Sequence, residues 1–202
     1  MNNYNFITFE GVEGCGKSTQ AKKLQQFFIN NNIDVLLTRE PGGTILGEKI
    51  RNILLDENNI MSSKTELLLN FASRIEHIAQ KIKPAINNKQ KVICDRFFDS
   101  TFAYQGHAMG LDLLQIKQLQ EIAIDDFAPD ITFLIDVPIE VAFDRIKNRI
   151  DNNKYEAMDM NFHHKVRHGF LDLAKNNSRI FVIDGLKDEE FIANQIINII
   201  KN

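Results

Sequence analysis

Apolar residues fall into two rhythms along the chain. Runs of five or six residues, YNFITF (4–9), IDVLLT (33–38), KVICD (91–95), ITFLID (131–136) and RIFVID (179–184), have the length and near-continuous apolar character of strands covered on both faces. Between them, apolar residues recur at helical spacing. This predicts helices over about 17–30, 47–55, 64–86 with Pro84 near its end, 111–127, 139–149, 161–175 and 188–200. Asparagine pairs and triplets (Asn30–Asn32, Asn87–Asn88, Asn152–Asn153, Asn176–Asn177) tolerate left-handed backbone and punctuate the plan as loops. Strand–helix alternation of this kind predicts an α/β fold, a five-stranded parallel sheet with helices on both faces. Such sheets bind ligands at the carboxyl ends of their strands. Those ends carry Glu10, Arg39, Asp95, Asp136 and Asp184.

The chain has 202 residues, the size of one domain spanning 1–202, and needs no staples to build a core. A net charge of −3 argues against general affinity for nucleic acid or a membrane surface. No segment approaches the ~18 apolar residues of a membrane helix, and MNNYNF lacks the pattern of a signal peptide. Two cysteines, Cys15 and Cys94, read as reduced thiols in a cytoplasmic protein. His163, His164 and His168 have no clear third ligand beside them and read as surface residues.

One stretch breaks the economy of a core. Gly11-Val12-Glu13-Gly14-Cys15-Gly16-Lys17-Ser18, followed by Thr19, sits between the first predicted strand and the first predicted helix. It fits the P-loop pattern, in which glycines let backbone N–H groups wrap a phosphate chain. The lysine then reaches the β- and γ-phosphates and the serine hydroxyl ligates Mg²⁺. The sequences that mark GTPases are missing, since Asp95 is followed by RFFD and Asp136 by VPIE. A short chain with this loop, an Asp-Arg pair after the third strand and a basic stretch late in the sequence points to phosphoryl transfer onto a small acceptor.

Four segments together, FEGVEGCGKST, TREPGGT (38–44), CDRFFDSTFAYQG (94–106) and FAPDITFLIDVP (127–138), resemble the thymidylate kinases, P-loop nucleoside monophosphate kinases. The resemblance runs through most of the chain. It implies the reaction ATP + dTMP → ADP + dTDP with Mg²⁺ as cofactor. Another nucleotide kinase, or a P-loop switch or assembly ATPase, is the alternative. It implies ATP on residues 11–19 and dTMP on Glu13, Arg39, Phe71, Arg74, Arg96, Ser100, Thr101, Tyr104 and Gln105. Arg39 and Arg96 would hold the acceptor phosphate, Arg74 a base carbonyl and Glu13 the sugar, with Ser18 and Asp95 toward the metal. The family places an aromatic ring four residues before this arginine, where the chain has Asn70. Either the helix shifts and Phe71 stacks on the base, or Phe71 belongs to the core.

The P-loop carries no basic residue before Lys17, so the cation for the transferred phosphoryl group is expected from a lid over about 145–157. Arg149, in DRIKNR, is the expected catalytic lid residue alongside Lys17 and Arg96; Lys154 stands where family lids often carry a second arginine. The resemblance also implies a homodimer, for which an apolar helix face near 70–80 is available.

Overall fold

The computed structural model describes residues 4–147 and 154–201. Five strands, β1 (Phe6–Glu10), β2 (Val35–Arg39), β3 (Lys91–Asp95), β4 (Ile131–Asp136) and β5 (Ile180–Asp184), form one sheet in the order β2-β3-β1-β4-β5. All four pairings are parallel. The helices are α1 (Lys17–Asn30), α2 (Ile45–Leu55), α3 (Ser63–His77), α4 (Lys83–Asn87), α5 (Phe98–Thr101), α6 (Leu113–Ile124), α7 (Ile139–Ile146), α8 (Met160–Lys175) and α9 (Glu189–Lys201). Widened π turns at Ile78–Ile82 and Phe102–Ala108 continue α3 into α4 and extend α5. The expected α/β architecture is therefore present. The helix expected over 64–86 is a chain of three such pieces. That expected over 111–127 is shorter because Asp112 caps its start, accepting from the Leu114 backbone N–H.

Period-two alternation divides β1 between two cores. Ile7 and Phe9 join Leu24, Phe28, Phe133 and Ile196 in one cluster, against α1 and α9. Phe6 joins Val92, Cys94, Phe97, Ile78 and Ile82 in the other. Removing each such side chain from water contributes ~1.5–3 kcal/mol, so a two-sided core of this kind fixes the register of the central strand. Thr8 and Thr132, both fully buried, satisfy each other by a 2.7 Å hydroxyl hydrogen bond.

The register also brings distant segments together. Phe9 lies beside Asp95, and Asp95 beside Arg39. The loop after β1, the Asp-Arg pair closing β3 and the arginine closing β2 therefore meet at one carboxyl edge.

Candidate active site

At that edge the chain leaves β1 through a glycine loop and enters α1. Gly14 has φ +75°, and a Cβ there would lie 2.4 Å from the Ala142 carbonyl oxygen, so no larger residue fits. Gly16, with φ +102°, caps α1 without any side-chain hydrogen bond, and a Cβ there would meet nothing within 4 Å. Gly16, Lys17, Ser18 and Thr19 line a cavity, so the positive end of α1, whose first N–H groups have no intrahelical partner, borders a space suited to an anion. Lys17 is 6% exposed, and its ammonium donates to the Val12 carbonyl at 2.8 Å, folding back over the loop. The Ser18 hydroxyl donates to Asp95 Oδ2. A hydroxyl and a carboxylate side by side at the end of a phosphate loop are hard oxygen donors of the type that Mg²⁺ takes together with phosphate oxygens.

A cavity of about 350 Å³ opens over this loop. Glu13, Lys17, Ser18, Arg39, Arg74, Asp95, Arg96, Ser100, Thr101, Tyr104 and Gln105 all line it, so most of the expected site residues converge.

Arg96 is the hub. Its backbone is left-handed, φ 70°, which costs a non-glycine residue ~1–3 kcal/mol and is sustained by its surroundings. The guanidinium donates to the Gly11 carbonyl (2.9 Å), Ser100 Oγ (3.1 Å), Glu13 Oε1 (2.8 Å) and Tyr104 OH (3.1 Å), and lies 5.1 Å over the Tyr104 ring. Burial works against ionisation of Glu13, but Arg96 and Lys17 outweigh it and hold the carboxyl at about 2. Glu10 sits deeper. Burial and the neighbouring Asp99 push it up to about 7 against the pull of Arg96, while it accepts from the Phe97 N–H and from Ser100 Oγ at 2.7 and 2.6 Å. Burial also raises the Tyr104 phenol, which stays protonated.

Arg74 is 2% exposed. Its Nε donates to Glu40 Oε2 at 2.7 Å and its Nη1 to Thr101 Oγ1 at 3.1 Å. Glu40 also pairs with His77 Nδ1 at 3.0 Å. Phe71 does not line the cavity. It is 2% exposed, packs with Leu67 and Ile116, and lies 5.1 Å beneath the Arg74 guanidinium. Of the two fates open to it, the structure gives the core. The rings that do border the cavity are Phe97, Tyr104 and Tyr155. Arg39 is half-exposed and paired with Glu48 at 2.9 Å.

Arg149 lies outside the described residues. The near end of the expected lid shows Arg145 bound to the Gly185 carbonyl at 3.0 Å. At the far end Lys154 is no free cation: its ammonium sits 2.6 Å from Glu66, a carboxylate only 1% exposed.

Five participants escaped the sequence reading. Glu40 holds Arg74. Arg51 lines the cavity with its Nη1 on the Pro41 carbonyl at 2.9 Å. Glu66 binds Lys154, and Phe97 and Tyr155 border the pocket. A usable signal existed for Glu66: with Asn70, Arg74 and His77 it forms a polar stripe at helical spacing beside the apolar positions Leu67, Phe71 and Ile78. His163 is also corrected. It is 1% exposed and packs edge-on against Phe143 at 4.7 Å, so it is a core histidine. His107, His168 and Asp172 bring ligand atoms within 4.8 Å of one another, but Lys175 already holds the Asp172 carboxylate at 2.8 Å.

A parallel sheet, a phosphate loop opening its first helix and an arginine-lined cavity beside it define a P-loop kinase of small molecules. Residues 9–196 match the thymidylate kinase family model. The chain is 46% identical over 198 residues to the thymidylate kinase of Wolbachia pipientis wMel, covering 96% of this chain and 98% of that one. It is 42% identical over 197 residues to that of Thermoanaerobacter sp. (strain X514), covering 97% of each. The crystal structure of thymidylate kinase from Ehrlichia chaffeensis superposes with a TM-score of 0.81 at 42% identity over 98% of both chains. The chain belongs to the thymidylate kinase family.

Proposed function

We propose that this chain phosphorylates dTMP to dTDP with ATP, and that the residues converging on the cavity divide the work between donor and acceptor. The phosphate loop, residues 11–19, holds the ATP phosphates, with Lys17 leaving the Val12 carbonyl to neutralise the β- and γ-oxygens. Arg39 and Arg96 hold the acceptor phosphate, for which planar guanidinium groups give two-pronged contact. Arg74, fixed by Glu40 and Thr101, addresses a carbonyl of the base. Glu13, kept ionised by Arg96, accepts from the sugar hydroxyl. Ser100, Thr101, Tyr104 and Gln105 complete the acceptor wall, with Phe71 acting from behind as the platform of Arg74. Arg149 supplies positive charge to the transferred group from the lid.

Ser18 and Asp95 fit Mg²⁺, which would supply charge neutralisation across the β- and γ-phosphates. The working form is one domain with a lid over about 145–157, and a homodimer. Leu68 and Ile75 on α3, 57% and 41% exposed, stand seven residues apart on one face; Leu114 and Ile122 on α6, 62% and 82% exposed, stand eight apart. Helices α3 and α6 pack together through Phe71 and Ile116, which supports a shared apolar face for the partner. Both cysteines are buried and unpaired, in keeping with a cytoplasmic setting. No helix among the described residues is long and apolar enough to cross a membrane.

The observation that carries the reading is the meeting of the phosphate loop and four arginines from separate elements in one cavity. The test is ADP release from ATP with and without dTMP, with dTDP identified by mass. Release that does not depend on dTMP would sink the kinase reading in favour of a switch ATPase. Ser18→Ala, assayed across Mg²⁺ concentrations, should shift half-saturation upward. An unmoved Mg²⁺ curve removes Ser18 from the metal site. Sedimentation measures the dimer.

A further inference from the structure

Glu66 has three partners on one buried carboxylate. Oε1 accepts from Gln105 Nε2 at 2.8 Å and from Tyr155 OH at 2.8 Å; Oε2 accepts from Lys154 Nζ at 2.6 Å. Gln105 lines the acceptor cavity and Glu66 does not. An amide is ambiguous by itself: either its NH₂ or its oxygen can face a neighbour, and only the partner decides. An ion-paired carboxylate offers acceptors only. It therefore compels Gln105 to turn its NH₂ inward and leaves the amide oxygen, an acceptor, for the cavity.

We propose that Glu66 is a positioning residue for base selectivity: by locking the Gln105 amide, with Lys154 and Tyr155 securing the lock from the lid end, it makes the pocket prefer a base with an N–H donor on its pairing edge. Thymine has that donor at ring position 3; cytosine has a bare acceptor there. An unlocked amide would rotate and serve either base. This rests on the reading that dTMP is the acceptor and meets Gln105.

The experiment compares wild type with Glu66→Gln for dTMP, 5-methyl-dCMP and dUMP, measuring kcat/KM for each. The methyl group is common to the first pair and the N–H donor to dTMP and dUMP. A glutamine at 66 keeps the shape but also offers donors, so Gln105 is free to turn. The preference for dTMP over 5-methyl-dCMP should fall about tenfold or more, the scale of one misdirected hydrogen bond to a buried polar group. The dTMP-to-dUMP ratio should hold, because both bases carry the donor. An unchanged preference against 5-methyl-dCMP overturns the proposal. So does a parallel fall in both ratios, which marks general distortion of the pocket. Wild type that shows no preference for dTMP refutes instead the reading of the site. Should Glu66→Gln fail to fold because the Lys154 ammonium is left buried, the double variant Glu66→Gln/Lys154→Met removes both charges and is read by the same two ratios.

Discussion

The guanidinium of Arg96 reaches from the end of β3 to the carboxylate of Glu13 in the phosphate loop, 2.8 Å away, and so joins the two halves of the site through one ion pair. The partner strands are neighbours in the sheet, and Phe9 lies beside Asp95, which is why the contact needs no long loop.

This pair has a pH signature. Glu13 ionises at about 2 in the folded chain and near 4.5 when unfolded, so its contribution to stability is fully present above 4.5 and is lost as pH falls through 2. The gap corresponds to ~3 kcal/mol. Glu10, raised to about 7, has the opposite sign: its contribution is present below 4.5 and lost as pH rises through 7. Urea midpoints across pH 2–6 should therefore fall more steeply for wild type than for Glu13→Gln at the acid end. Parallel curves would show that the pair contributes nothing.

Lys17→Ala should lower turnover by about 10²-fold or more, the scale of losing a positioned charge at a transferring phosphoryl group. Lys17 makes its hydrogen bond to the loop's own Val12 carbonyl, so the thermal midpoint should move little. Turnover close to wild type would refute the assignment of the loop.

Arg39→Ala should weaken dTMP and dCMP alike, since phosphate is common to both. Arg74→Ala should narrow the difference between them by ~1–3 kcal/mol. It should also cost stability, ~3–5 kcal/mol, because Glu40 is left buried with only His77. Binding measured beside a melting curve separates the two effects. If either variant altered only ATP affinity, the acceptor site would be wrongly drawn.

The two lid cations should behave differently. Arg149→Ala should reduce kcat by about 10²-fold with dTMP affinity nearly unchanged. Lys154→Ala should act mainly on stability, since it strips the ion pair from buried Glu66. A large kcat loss in Lys154→Ala with an unchanged melt would exchange the two roles.

What the sequence disclosed was local. The phosphate loop, TREPGGT and the Asp-Arg pair are contiguous motifs, and the five strands announce themselves by length. The segment 98–108 was not legible as a helix: FDSTFAYQGHA mixes aromatic, small and polar residues without a 3.6-residue rhythm, and a π turn spans most of it. Glu40 was invisible as a buried group because a carboxylate in a polar Pro-Gly turn reads as solvated until its distant partner Arg74 is known, and the stripe that marks Glu66 does not disclose that it meets Lys154. Asn70 pointed both ways for Phe71. Only the packing of Phe71 against Ile116, from a helix 45 positions on, decides it.

The arginines around the cavity are each held by oxygens of the chain itself: Arg39 by Glu48, Arg74 by Glu40, Arg96 by Glu13, Arg51 by the Pro41 carbonyl. On the proposed reading, a phosphate arriving at Arg39 would compete with the tethered Glu48 carboxylate rather than with water alone. That competition would cap the affinity for substrate and act equally on product. On that reading the Glu48 carboxylate that stands aside when dTMP enters would reclaim the Arg39 guanidinium when dTDP leaves, so the site would carry its own displacing anion.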